Sequence, residues 1–174
     1  KKSLSELSPF EFKDELIKLA TSNHDQLMLN AGRGNPNFLA TLPRHAFLRL
    51  GDFALHESER SYSYLSAGFG GMPEKKDLLN RFDAYALHNE HIDGIDFIRS
   101  SLAFAEDHLG MDKEALLHEL VMAFLGCNYP VPPRMLILCE QIVKNYLSME
   151  LCGTTTQADK FDVFATEGGT AAMA

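Results

Sequence analysis

Gly168-Gly169-Thr170 is the sharpest chemical feature of the sequence. Two glycines let the backbone approach an anion closely, the helix start that follows aims unpaired N–H groups at it, and the threonine hydroxyl adds a donor. The pattern is neither a Walker loop, which needs Gly-Lys before Thr or Ser, nor a G-x-G-x-x-G fingerprint. A tight strand-to-helix turn accounts for the same glycines equally well. In Asn30-Ala31-Gly32-Arg33-Gly34-Asn35-Pro36-Asn37, one arginine sits among turn formers and bare backbone. An Arg so placed suits bidentate recognition of a carboxylate or phosphate; a solvated Arg on an irregular turn is the plainer alternative. Ser61-Tyr62-Ser63-Tyr64 with Gly68, Gly70 and Gly71, and Cys127-Asn128-Tyr129-Pro130, add tyrosine hydroxyls that can donate to a phosphate oxygen. A loop tyrosine more commonly packs its ring and keeps a wet tip.

Other chemistries are excluded by spacing. His118-Glu119 is followed by Met122 where a zinc-binding H-E-x-x-H helix needs its second histidine, and His88 and His91 lack a nearby third ligand, so no metal site is expected. There is no G-x-S-x-G elbow. The cysteines, Cys127, Cys139 and Cys152, are three in number without a C-x-x-C pair, which argues against a disulfide framework and for a reducing, cytoplasmic setting. Sixteen Lys and Arg against 24 Asp and Glu leave a net charge of −8, unsuited to nucleic-acid phosphates or anionic lipid. No apolar run has the length of a membrane span, and no basic-then-apolar start reads as a signal peptide.

The elements that must hold these loops are mostly helical. With 174 residues, 45% of them hydrophobic, the chain reads as one domain with a sizeable core. Ser8-Pro9-Phe10-Glu11 opens the first helix with an N-cap Ser and a Glu where a capping box needs it, and Phe12, Leu16, Leu19 and Ala20 share a face. A second helix is expected from about Leu42 to Ser58, capped by Thr41, and a third from Pro73 with Leu78, Leu79, Phe82, Tyr85 and Ala86 as its stripe. Asp93 is the expected cap of a fourth, which turns Ile98, Leu102, Ala105 and Leu109 inward and stops at Gly110. Asp112 caps a fifth ending at Gly126, and a sixth runs from about Pro133 to Leu151, closed by Gly153. Strands are expected at Leu27-Met28-Leu29 and Phe161-Asp162-Val163-Phe164-Ala165, the second feeding the glycine turn as the opening of a βαβ unit. The chain opens at Lys1 without an initiator Met and closes at Ala174 inside a starting helix, so it is expected to be part of something longer.

Taken in order, the loops resemble the fold-type I pyridoxal-phosphate aminotransferases, and within them the aspartate 4-decarboxylase branch. The resemblance rests on Met28 to Phe38, the Ser8-Pro9-Phe10-Glu11 helix, Cys127-Asn128-Tyr129-Pro130-Val131-Pro132-Pro133-Arg134-Met135-Leu136 and Glu167-Gly168-Gly169-Thr170-Ala171-Ala172-Met173. It implies a segment that is mostly α, forming the N-terminal part of an α/β fold with extra helices. Three portions follow: 1–60 with the substrate loop, 61–126 with extra helices for oligomerisation, and 127–174 entering the cofactor-binding domain. It further implies that Gly168, Gly169, Thr170 and Tyr129 meet the phosphate of pyridoxal 5′-phosphate, with Tyr64 a rival to Tyr129. Gly34, Arg33 and, less well matched, Gly110 would contact L-aspartate. The implied reaction is β-decarboxylation of L-aspartate to L-alanine and carbon dioxide, with transamination beside it. A plain aspartate aminotransferase, or a helical assembly segment without activity, remains open. The Schiff-base lysine, the acid facing the pyridinium nitrogen and the arginine for the α-carboxylate normally lie downstream, so no catalytic residue is expected in this segment. Self-association as a dimer or larger homo-oligomer is expected.

Overall fold

A computed structural model describes residues 7–22, 39–66, 68–128 and 134–173. Where length suggests one domain, the chain divides into two compact units, Lys1–Leu39 and Ala40–Ala174. In the first, α1 spans Pro9–Thr21 and begins as its sequence dictates. The Glu11 N–H donates to Ser8 Oγ, and the Ser8 N–H donates back to Glu11 Oε2, completing the capping box. Phe12, Leu16 and Leu19 lie exposed along its apolar face.

The second unit is built from α2 (Leu42–Ser61), α3 (Leu78–His88), α4 (Ile95–Leu109), α5 (Lys113–Phe124) and α6 (Ile137–Cys152), followed by a 3-10 turn (Thr155–Lys160) and a short α7 (Gly169–Met173). Helix α5 lies centrally, against α2, α3, α4 and α6. Most of the stripes expected for α3 and α4 are buried: Leu78, Phe82 and Ala86, then Ile98, Leu102 and Ala105, joined by Phe53 and Ala54 of α2 and Leu117 and Val121 of α5, while Leu79, Tyr85 and Leu109 pack half-buried against them. Phe53 and Phe82 meet edge to face, ring centroids 5.1 Å apart. These helices therefore find partners for their apolar stripes within the chain.

Several helix starts differ from expectation. Thr41 stands at the α2 N-cap, but its hydroxyl caps nothing. Helix α3 starts at Leu78 rather than Pro73: the Pro73 carbonyl is taken by His118, and the Glu74 and Lys76 carbonyls by the Arg81 side chain, so the intervening residues form a loop. Gly94, not Asp93, precedes α4: its φ is +99°, and a Cβ there would lie 2.4 Å from the Ala46 backbone nitrogen, so only glycine allows this close approach to α2. Helix α6 starts at Ile137, beyond the proline run. Asp112 caps α5, and Gly110 and Gly153 close α4 and α6 as expected.

Phe161–Ala165 forms no strand, and no strand occurs among the described residues. A parallel strand needs ladder partners on its flanks, and no described segment supplies one. The other expected strand, Leu27-Met28-Leu29, falls outside the described residues.

Candidate functional site

The glycine turn is built around Gly168, whose φ of +135° is one that L side chains rarely adopt. Thr166 Oγ1 donates to the Gly168 carbonyl (3.2 Å), which also accepts the Ala172 N–H (3.1 Å) and so closes the first turn of α7. A Cβ on Gly168 or Gly169 would meet no atom within 4 Å, so the cradle is open. Helix α7 has five residues, too few for a full macrodipole. Its chemical resource is the set of first-turn N–H groups that any helix start leaves without intrahelical acceptors. That donor set, on bare and accessible backbone, fits a phosphate.

The segment leading into this turn is held by an ionic cluster. Arg134 pairs through Nη1 with Asp162 and through Nη2 with Glu140 Oε1 (2.8 Å). Lys144 Nζ lies 3.1 Å from the same Glu140 oxygen and 3.7 Å from Asp162 Oδ1. The guanidinium also sits over the Phe164 ring, 5.6 Å from its centroid. The cluster carries two positive and two negative charges, with Glu140 buried.

Helix α6, which carries Glu140 and Lys144, is in turn fixed by α5. Leu136 at its N-cap has no side chain to offer, and Glu119 of α5 supplies the missing acceptor: the Leu138 and Cys139 N–H groups both donate to its carboxylate at 3.0 Å. In the same way Glu114 of α5 accepts the Leu79 N–H at the start of α3 (3.4 Å). Burial and the neighbouring Glu119 push the Cys139 thiol up to about 11, so it is no nucleophile at neutral pH.

The tyrosine-and-glycine loop is latched to the end of α2. The Gly71 N–H donates to the Ser58 carbonyl (2.9 Å), Ser58 Oγ donates to the Gly71 carbonyl (2.8 Å), and Ser61 Oγ donates to Met72 O (3.2 Å). From the other side His118 Nε2 donates to Pro73 O (3.1 Å). Arg81 donates to the Glu74 and Lys76 carbonyls and to Glu57 Oε2 (2.7 Å), a buried carboxylate that also receives Arg60. The Tyr62 ring lies against Gly71 so closely that no Cβ could fit between them, and Tyr64 packs its ring on Tyr62 while the residue stays 76% exposed.

Of the residues singled out in the sequence, Gly168 and Gly169 lie in the open turn, and Thr170 contributes its backbone to α7. Gly110 closes α4 with φ +64° and donates to Ala105 O and Glu106 O, which accounts for a glycine there. Arg33, Gly34 and Tyr129 lie outside the described residues. No cluster of three or more metal-ligating side chains occurs among the described residues, and His118 is engaged with Pro73. Sequence reasoning missed Arg134, Asp162 and Glu119 as organising residues. Asp162 lies far from Arg134 in sequence, as Leu138 and Cys139 do from Glu119, and the local pairs are Arg134–Glu140, at no helical spacing, and the i, i+4 pair Glu140–Lys144. A separate apolar groove of about 520 Å³ opens between Phe47, Phe97, Phe104, Leu109, Leu120 and Ile142, and none of the candidate site residues lines it.

No family model matches the chain. It is 54% identical over 173 residues to the bifunctional aspartate aminotransferase and L-aspartate beta-decarboxylase of a Pseudomonas species. That similarity covers 99% of this chain and 33% of the relative, so the chain spans about a third of the relative's length.

Proposed function

We propose that this chain is part of a pyridoxal-phosphate enzyme that removes the β-carboxylate of L-aspartate, giving L-alanine and carbon dioxide, and also transaminates aspartate. The observation that carries the proposal is the 54% identity, sustained over 99% of the chain, to a protein named for both activities. The open glycine turn, with donors suited to a phosphate, supports it from the structure.

Within that enzyme the chain's contribution is binding and orientation. The first-turn N–H groups after Gly168 hold the cofactor phosphate together with Gly169 and Thr170, and the Tyr129 hydroxyl donates a further hydrogen bond to it. The Arg33 guanidinium pairs with a substrate carboxylate, and Gly34 leaves room for the substrate against bare backbone. Gly110 is a weaker substrate candidate, since its place at the end of α4 already explains it. Tyr64 is the alternative to Tyr129 on the phosphate. When bound, the cofactor supplies an electron sink for bonds broken at the substrate's carbons. The lysine that anchors it, the acid facing its ring nitrogen and the arginine for the α-carboxylate belong to residues beyond this chain. The enzyme self-associates and works in the cytoplasm, in keeping with its unpaired cysteines.

The test is a titration of the protein in its natural length with pyridoxal phosphate, followed by product analysis with L-aspartate and 2-oxoglutarate to accept the amino group. A visible absorption band with alanine and carbon dioxide as products is the expected result. A band with oxaloacetate but no alanine indicates an aminotransferase instead, and a free-cofactor spectrum would leave a helical assembly segment as the better description.

A further inference from the structure

We infer that Arg134 is a positioning residue for the glycine turn, acting through Asp162 and Phe164 to aim the segment that delivers Gly168 to the cofactor phosphate. The inference rests on the phosphate-binding role proposed above. One guanidinium reaches two residues spaced i, i+2: an ion pair to Asp162 and a cation–π approach over the Phe164 ring, 5.6 Å from its centroid. In an extended stretch such residues lie on the same side, so a hold on both fixes direction as well as place. This matters because residues 161–166 take part in no helix or strand here, and side-chain contacts are what set their course.

The hold has a firm base. Arg134 is braced by Glu140 at 2.8 Å, and Lys144 reaches both carboxylates, so each anion of the cluster faces two cations. Glu140 and Lys144 stand on α6, whose first turn is pinned to α5 by Glu119. A continuous set of contacts therefore runs from the buried core through α6 to the segment entering the turn. A guanidinium suits this double role, because its several spread-out donors can pair with carboxylates while its weakly hydrated charge lies over a ring, and a compact ammonium serves such partners together less well.

The experiment compares dissociation constants for pyridoxal 5′-phosphate and phosphate-free pyridoxal in the natural-length protein and in Arg134→Gln, Arg134→Lys and Asp162→Asn. Arg134→Gln should weaken pyridoxal phosphate about tenfold while leaving pyridoxal within about twofold, with Arg134→Lys intermediate. The Arg134→Gln/Asp162→Asn double variant should cost no more than the worse single, the sign that the two act as one unit. A purely structural role would weaken both ligands alike and would lower the thermal midpoint in parallel. An unchanged preference for the phosphorylated ligand in Arg134→Gln, or equal losses for both, overturns the inference. If Arg134→Gln does not fold, Arg134→Lys and Asp162→Asn carry the same comparison. A parent protein that binds both ligands equally would instead remove the phosphate reading itself.

Discussion

At the residue scale, the glycine turn depends on a conformation that only Gly168 takes readily. Gly168→Ala meets no steric neighbour, so its effect is confined to the backbone: a φ of +135° strains an L residue by about 1–3 kcal/mol. The turn should relax, and pyridoxal-phosphate affinity should fall about tenfold by spectral titration, while an affinity equal to the parent's would separate the turn from the phosphate. Cys139 is held as a thiol by burial and by Glu119, its pKa pushed up to about 11. Iodoacetamide at pH 8 should leave it unmodified in the native protein and label it in urea; peptide mass spectrometry reports the difference. Asp112 behaves oppositely. Lys75 and the Ala115 and Glu114 N–H groups hold its carboxyl below the usual carboxylate range. Its folded value is therefore below its unfolded one. The stabilisation is complete above the ordinary carboxylate range and is lost as pH falls through the lowered value. Asp112→Asn should flatten the acid limb of a stability–pH profile, and an unaltered limb would count against the cap.

At the scale of elements, α5 acts as a donor of carboxylates to its neighbours. Glu119→Ala leaves the Leu138 and Cys139 N–H groups without their acceptor and should destabilise the helical unit by about 1–3 kcal/mol. Urea unfolding followed by circular dichroism measures it, and Glu119→Gln should recover part of the loss through its remaining carbonyl oxygen. This arrangement also explains what could be read in advance. Ser8 and Asp112 cap within their own helices, and the stripes of α3 and α4 recur at helical spacing, so those elements were legible from local pattern. The starts of α3 and α6 were not, since Glu114 and Glu119 reach them from another helix and leave no local trace. Gly94 outcompeted Asp93 through contact with α2, which is a tertiary demand. The strand expected at Phe161–Ala165 carries the right composition and lacks a ladder partner among the described residues. Of the candidate site, the Gly168–Gly169 turn was legible because backbone geometry is written in glycines. The Arg134–Asp162 grip was not, because nothing local relates residues 28 positions apart.

For the molecule as a whole, stability is concentrated where α2 to α5 converge. Phe82, fully buried against Phe53, should cost about 3–5 kcal/mol on truncation to alanine, read as a lowered denaturation midpoint. With a third of its relative's length represented here, the natural polypeptide should have an intact mass well above 19.4 kDa. The latch between Ser58 and Gly71 has a consequence for motion. Two hydrogen bonds run in opposite directions between the same two residues, one from the Gly71 N–H and one from the Ser58 hydroxyl. A loop so joined cannot swing out while the last turns of α2 stay wound. Its amides should then exchange with deuterium at the pace of that helix end rather than at the pace of an open loop, and the protection at Gly71 would serve as a gauge of how often the end of α2 unravels.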